Sequence, residues 1–229
     1  MSPPAARPVA IAVEAGQQVS GLYLVPADAR ACYVLAHGAG AGMAHPFMAS
    51  VAEGLAGRGI ATLRYQFPYM EHGSRRPDSP GLAQKTVRAA VAEAARLAPG
   101  LALVAGGKSF GGRMSSQAQA AAPLAGVRGV VFLGFPLHAA GKPSADRGRH
   151  LLDVHVPMLF LQGTRDPLAQ LEYLQPLVDR LGARAELKLF PDADHSFHVP
   201  ARTGRKDAEV RAELLDALAA WISSVTGDR

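Results

Sequence analysis

Short apolar runs recur along the chain and are separated by longer segments with helical spacing. Most of the runs lack polar alternation, which is typical of strands buried on both faces of a parallel sheet. An alternating run at 185–190 instead indicates a strand near the sheet edge. The predicted strands are an antiparallel N-terminal pair at 9–14 and 21–25, then 32–36, 60–65, 101–105, 129–133, 158–161 and 185–190.

The segments between these strands predict helices. Pro46 and Pro167 suit first-turn positions, where a missing N–H has no intrahelical partner to lose. Strands that alternate with helices predict an α/β fold, with a mostly parallel central sheet and helices on both faces. Because no internal break divides the pattern, we expect one domain over residues 1–229. The predicted helices are 46–56, 83–97, 110–121, 168–181 and 205–224.

Composition narrows the class of protein. Hydrophobic residues make up 48% of the 229 residues, enough for a sizeable core. No apolar run approaches the roughly 20 residues of a membrane span. Residues 1–18 lack the basic flank and apolar stretch of a secretory signal. The single cysteine, Cys32, excludes an internal disulfide and lies in a predicted strand. From these three observations together we expect a cytoplasmic protein without a membrane partner.

The net charge of +5 raises the question of nucleic-acid binding. However, the basic residues form no runs beyond 75–76 and 205–206, and aromatic residues make up only 6% of the chain. Nucleic-acid modules usually combine clustered basic residues with stacking aromatics. We therefore interpret the charge as a solvated surface and expect no nucleic-acid partner.

The segment GGKSFGG at 106–112 follows an apolar run and precedes a helical pattern. A G-x-S-x-G pattern between a strand and a helix predicts a sharp turn that exposes a nucleophilic serine, here Ser109. Gly107 and Gly111 leave the turn free of bulk. A phosphate-binding G-x-x-x-x-G-K-S loop is a poor alternative, because Ala102 stands where that loop needs glycine.

A nucleophilic serine needs a base and a group that orients the base. In open α/β sheets these residues lie after the carboxyl ends of strands. The loop after 158–161 contains Asp166, and the loop after 185–190 contains His195. The chain order of serine, acid and histidine suits this fold. His198 is the alternative to His195 as the base, and Asp192 and Asp194 are the alternatives to Asp166 as the acid. Asp166 could instead have a structural role as a turn or helix-capping residue.

An oxyanion hole requires two N–H donors beside the nucleophile. The backbone N–H of Phe110 is the first candidate. The second is Ala39, in the glycine-rich segment HGAGAG at 37–42. We interpret His37 as a residue that fixes this loop. No histidine pair has the spacing of a zinc site, and no cofactor motif is found.

The motifs together resemble those of α/β-hydrolases. Within that superfamily the chain is similar to the small lidless group related to dienelactone hydrolases, and most similar to the KANL3/Tex30-like hydrolases. The resemblance implies an α/β-hydrolase sheet and acyl or ester hydrolase chemistry. Together with the serine motif, it leads us to expect a serine hydrolase that cleaves a small ester or thioester through an acyl-enzyme. Dienelactone hydrolases carry a cysteine where this chain has Ser109, so lactone specificity does not follow. The motifs lie at 35–40, 64–69, 106–113 and 192–197.

The segment 134–157 is too short and too rich in Gly, Pro and Arg for several lid helices, which predicts a shallow, open site. Basic residues on the predicted rim, among them Arg75, Arg76, Arg147 and Arg149, suggest that the substrate is anionic. The alternative function is a non-catalytic interaction module on a hydrolase fold. The predicted substrate-binding residues are Met43, Gln66, Phe67, Tyr69 and Phe135, with core packing as the alternative for the aromatic ones.

Overall fold

Apolar runs become the strands of one eight-stranded sheet in the computed structural model, which describes residues 5–227. The outermost residues of the predicted 1–229 domain, 1–4 and 228–229, lie outside that range. The strands are β1 (Arg7–Glu14), β2 (Gln17–Leu24), β3 (Ala31–Ala36), β4 (Ile60–Tyr65), β5 (Ala102–Lys108), β6 (Val127–Leu133), β7 (Met158–Gly163) and β8 (Ala185–Phe190).

The strand order is β1-β2-β4-β3-β5-β6-β7-β8. Strand β2 pairs antiparallel with β1 and β4, and all further pairs are parallel. Every residue of β3 and β4 is buried, which agrees with their continuous apolar runs. Strand β8 lies at the edge, as its alternating pattern predicted. The parallel arrangement brings the carboxyl ends of β3, β5, β7 and β8 to the same side of the sheet.

Helices cover both faces, and alternate residues of the central strands pack against one face or the other. One face is covered by α1 and α6, and the opposite face by α3, α4 and α5. The predicted α/β architecture, a mostly parallel central sheet with helices on both faces, is therefore confirmed. The helices are α1 (Pro46–Ala56), α2 (Pro68–Glu71), α3 (Pro80–Leu97), α4 (Phe110–Ala121), α5 (Leu171–Leu181) and α6 (Asp207–Thr226).

Several boundaries differ from the sequence prediction. Helix α5 begins at Leu171 rather than at residue 168, because the Asp166 carboxylate accepts the Leu168 N–H at 2.8 Å and holds residues 166–170 in a loop. Strand β5 extends through Gly106 and Gly107 to Lys108 although glycine has a low strand propensity. The two glycines stay in the strand because they pair with β3 on one side and β6 on the other. The segment between β6 and β7 holds one 3₁₀ stretch, Asp146–Asp153. No helix within residues 5–227 is both long and apolar enough to span a bilayer.

Leu218 tests how far α6 stabilises the sheet, because it is fully buried in the cluster between α6 and the central strands. We expect Leu218→Ala to lower the free energy of unfolding by about 2–5 kcal/mol, as buried leucine truncations do. Urea unfolding followed by circular dichroism measures this change. The control is Ala220→Ser on the exposed side of α6, with an expected change within about 0.5 kcal/mol. Equal stability of the two variants would contradict the packing described here.

Candidate active site

Ser109 lies in the turn between β5 and α4 with φ 50° and ψ −114°, a conformation that non-glycine residues rarely adopt. Glycines around it permit a very close approach to β3. A Cβ on Gly107 would lie 2.1 Å from the carbonyl oxygen of Ala36, and one on Gly111 would lie 2.6 Å from that of His37. Only glycine fits at both positions, so the strained turn is held against β3 by backbone packing.

The side chains of Asp166, His195 and Ser109 form one hydrogen-bonded chain. His195 Nδ1 lies 2.6 Å from Asp166 Oδ2, and His195 Nε2 lies 2.8 Å from Ser109 Oγ. A carboxylate only accepts, so Nδ1 donates to Asp166, and in the neutral ring Nε2 then accepts from the serine hydroxyl. The three residues come from the ends of β5, β7 and β8, and the structure brings all three together.

Asp166 is held by further donors. Its side chain is fully buried, and Oδ2 also accepts from the side-chain amide of Gln162 at 2.5 Å. The carbonyl oxygen of the same amide accepts the Phe135 N–H at 2.9 Å, which fixes the orientation of Gln162. Sequence reasoning missed Gln162; the available signal was a polar residue next to the apolar run at 158–161. Gln162 orients the carboxylate that in turn orients His195.

Two loops carry Asp166 and His195 and meet next to these side chains. They are the acid loop (residues 164–170) and the base loop (residues 191–199). The Arg165 N–H donates to the Ala193 carbonyl at 2.9 Å, and the Asp192 N–H donates to Thr164 Oγ1 at 2.8 Å. A Cβ on Gly163 would lie 2.3 Å from the Ala193 carbonyl oxygen. The two loops are therefore in direct backbone contact, which sets the distance between Asp166 and His195.

The alternative acids and base have other partners. His198 lies 2.8 Å from Asp207 on α6, and this hydrogen bond raises the pKa of His198. Asp194 accepts the N–H groups of Ser196 and His198 within its own loop. Another serine–histidine contact joins Ser116 and His150 at 2.8 Å, but Ser116 is fully buried. None of these groups contacts Ser109 within the described residues.

The oxyanion loop (residues 37–43) lies beside the serine. A Cβ on Gly38 would lie 3.8 Å from Ser109 Cβ. Within residues 5–227, the N–H groups of Ala39 and Phe110 donate to no protein acceptor, whereas the next amide, Gly40, donates to Tyr69 Oη at 3.0 Å. Two donors are thus left for a ligand at the loop and at the start of α4, the positions predicted for the oxyanion hole.

His37 fixes this loop from behind. Its Nε2 accepts the Phe67 N–H at 3.1 Å, and its Nδ1 therefore donates to the Gly38 carbonyl at 2.7 Å. Burial lowers the pKa of His37 to about 4, so the ring is neutral at physiological pH. A neutral ring with both nitrogens occupied acts as a structural support, which agrees with the sequence interpretation.

A cleft of about 640 Å³ opens above Ser109 and His195. It runs between the oxyanion loop, the start of α1, the base loop and the first turns of α6. Its wall combines apolar and basic side chains. The main wall residues are His45, Phe47, Met48, Lys108, Leu168, His198 and Arg211.

The five predicted substrate-binding residues do not line this cleft, which corrects the sequence prediction. Phe67 and Phe135 are completely buried in the hydrophobic core. Gln66 accepts the Met43 N–H at 2.8 Å, and Tyr69 accepts from the oxyanion loop as described above. The reason is that the segment after β4 folds underneath the oxyanion loop. Gln66, Phe67 and Tyr69 therefore support the loop from below, and Met43, within the loop, is held by Gln66.

The basic residues next to the Ser109 turn between β5 and α4, called the elbow below, also have defined places. Lys108 Nζ donates to the backbone carbonyl of His195, and Arg113 is half-buried on α4 with its Nε unpaired. Neither forms an ion pair with a described residue. Among residues 5–227, no three His, Cys, Asp or Glu side chains converge as a metal-binding group would require.

Comparison with known proteins identifies related folds. A family model for an alpha/beta hydrolase domain matches residues 29–223, most of the chain. A dienelactone hydrolase from Anabaena variabilis ATCC 29413 aligns with a TM-score of 0.80 and 22% identity, over 98% of this chain and 100% of that one. A serine hydrolase without a lid from Xanthomonas campestris aligns with a TM-score of 0.73 and 20% identity, over 96% and 97% of the two chains.

A cold-adapted esterase from an Arctic intertidal metagenomic library aligns with a TM-score of 0.68 and 21% identity, over 94% of this chain and 93% of that one. Identities this low show a shared fold. The family match and the shared fold confirm the α/β-hydrolase fold predicted from the sequence. The narrower relationships to dienelactone hydrolases and to the KANL3/Tex30-like hydrolases stay predictions.

Gly111 tests whether backbone packing holds the elbow. In Gly111→Ala the new methyl group would lie 2.6 Å from the carbonyl oxygens of Ala36 and His37, so the backbone must shift. We expect the rate of hydrolysis, measured by steady-state kinetics, to fall about 100-fold, because a misplacement of about 1 Å has that effect on reacting groups. The control is Gly81→Ala in α3, where nothing lies within 4 Å of the new methyl group. Equal activity in both variants would mean that the elbow tolerates displacement.

Proposed function

Because the chain belongs to the alpha/beta hydrolase family, we propose that it is a serine hydrolase that cleaves a small ester or thioester. The observation that carries the proposal is the hydrogen-bonded chain from Asp166 through His195 to Ser109, at the floor of an open cleft. In this proposal Ser109 is the nucleophile, His195 the general base and Asp166 the group that orients it. Ala39 and Phe110 supply the oxyanion hole.

The reaction proceeds through an acyl-enzyme. As Ser109 Oγ attacks the substrate carbonyl carbon, its proton moves to His195 Nε2, and Asp166 stabilises the imidazolium. The carbonyl oxygen gains negative charge and accepts the N–H groups of Ala39 and Phe110, whose loss typically costs about 3–4 kcal/mol of transition-state stabilisation. His195 then protonates the leaving alcohol or thiol. Water, deprotonated by His195, releases the carboxylic acid and restores Ser109.

The shape of the cleft supports a small or solvent-exposed substrate. The segment between β6 and β7 folds as one 3₁₀ stretch, Asp146–Asp153, and does not cover Ser109. The wall above the serine combines Phe47 and Met48 with polar groups. Because the cleft is open to solvent, it would not enclose a long acyl chain along its length, whereas a short acyl group can lie against Phe47.

The charge of the cleft supports an anionic substrate. Lys108 and Arg211 line the wall together with His45 and His198, and the carboxylate there, Asp207, is hydrogen-bonded to His198 and to the Val199 N–H. Arg211 contacts Ser50 Oγ at 3.1 Å through one nitrogen. The basic rim residues proposed from the sequence lie outside this wall, so Lys108 and Arg211 replace them as the source of positive potential.

Covalent labelling tests the proposed nucleophile. A fluorophosphonate should react with the wild-type protein at Ser109 and leave Ser109→Ala unlabelled. Ester turnover in Ser109→Ala should fall by at least about 10⁴-fold, because the attacking oxygen is removed. Peptide mapping by mass spectrometry and steady-state kinetics measure the two effects.

Ser116→Ala is the matched control for this test, since Ser116 also contacts a histidine but is fully buried. It should label and turn over like the wild type. If the intact wild-type protein neither labels nor hydrolyses any ester or thioester in a panel, the non-catalytic alternative replaces the proposed function.

Salt dependence tests the anionic substrate. For a neutral and an anionic ester with the same leaving group, kcat/KM should favour the anion several-fold at low ionic strength. Added salt should reduce this preference, because screening shortens the Debye length to about 10 Å at 0.1 M. Arg211→Gln should reduce it as well. The control is Arg149→Gln, away from the cleft and paired with Asp146. A preference unaffected by salt and by Arg211→Gln would reject an electrostatic origin.

A further inference from the structure

Lys108 is the last residue of β5 and immediately precedes Ser109, but its side chain extends away from the strand to the base loop. Its Nζ donates to the backbone carbonyl of His195 at 2.5 Å and lies 5.7 Å from the centre of the Phe197 ring. A Cβ on Gly134 would lie only 3.1 Å from Nζ. The ammonium is thus enclosed between the elbow, the end of β6 and the base loop, and it also contributes to the cleft wall.

The base loop needs an external support. Asp192 and Phe197, on either side of His195, have φ values of 58° and 62°, which are strained for residues with a Cβ. Asp194 bonds the loop to itself through the N–H groups of Ser196 and His198. Within the described residues, two hydrogen bonds join the base loop to the β5–α4 elbow. The Ser109 hydroxyl donates to His195 Nε2, and Lys108 Nζ donates to the His195 carbonyl.

We propose that Lys108 is a positioning residue whose ammonium ties the backbone of His195 to the strand that carries Ser109. The tie holds the imidazole at hydrogen-bond distance from the serine hydroxyl throughout the catalytic cycle. Lys108 does not exchange a proton with the substrate. The inference rests on the proposed serine hydrolase function and adds a residue that acts through His195.

The protonation of Lys108 gives this role a pH signature. Burial lowers the pKa of Lys108 to about 8, while the nearby carboxylates of Asp166 and Asp194 oppose the shift. The groups that face the ammonium are these two carboxylates and His195; the oxyanion loop presents Gly38 to its stem, and the end of β6 presents Gly134. Below about pH 8 the Lys108 ammonium makes a charge-assisted hydrogen bond to the His195 carbonyl, and above that pH the neutral amine makes a weaker one. Therefore kcat should decrease as the pH rises through about 8.

The experiment compares the pH dependence of kcat in the wild type, Lys108→Met and Lys108→Arg. Methionine keeps the length of the side chain but removes the hydrogen-bond donor and the charge. Near neutral pH we therefore expect kcat of Lys108→Met to be about tenfold below that of the wild type. The pH profile of this variant should lack the decrease through pH 8. Arginine keeps the donor and the charge and stays protonated at pH 8. Lys108→Arg should therefore recover part of kcat, and its kcat should also not decrease through pH 8. The control is Lys188→Met, an exposed lysine on β8, with a wild-type profile.

Thermal unfolding separates positioning from packing. The buried ammonium is costly to desolvate, so Lys108→Met should not lower the melting temperature although it lowers kcat. A wild-type profile that stays flat through pH 8, or Lys108→Met with wild-type kcat, would overturn the proposal. Equal loss in the Met and Arg variants, together with a lowered melting temperature, would also overturn it. Fluorophosphonate labelling of the wild type distinguishes this failure from failure of the hydrolase function.

Discussion

The hydrogen bond between Asp166 and His195 determines what the rest of the site can do. It places the ring proton on Nδ1 and leaves Nε2 free to accept from Ser109. Gln162 and the Leu168 N–H hold the buried carboxylate, and backbone contacts between the acid and base loops set its distance from the ring. Without this bond the serine hydroxyl would have no correctly oriented acceptor. In the proposed mechanism, the two free amides beside it would then have no oxyanion to stabilise.

The site contains conformations and charges that folding alone would not favour. Ser109, Asp192 and Phe197 have positive φ values, and Lys108 is an enclosed ammonium. Each is held by tight surroundings, such as the contact of Gly107 with the Ala36 carbonyl. Strained or charged groups concentrated at one edge of an otherwise regular sheet are typical of functional sites, where the core stabilises geometry that the local sequence disfavours.

Much of the fold could be predicted from the sequence because burial on both faces of a parallel sheet leaves a strong local signal. The apolar run at 60–65 matches the fully buried strand β4, and the alternating run at 185–190 matches the edge strand β8. Pro46 marks the start of α1. The order of Ser109, Asp166 and His195 also indicated which side chains would meet. The cleft wall could not be predicted, because Phe67 and Phe135 follow strand ends like true wall residues. Only tertiary packing places them in the core.

The protonation of His195 tests the account most directly. Nitrogen NMR of the protein with isotope-labelled histidine, assigned with His195→Gln, reports which ring nitrogen carries the proton. The Asp166–His195 bond predicts a neutral ring that is protonated at Nδ1 and unprotonated at Nε2. It also predicts that Asp166→Asn changes this tautomer. A wild-type ring protonated at Nε2, or one unaffected by Asp166→Asn, would contradict the account.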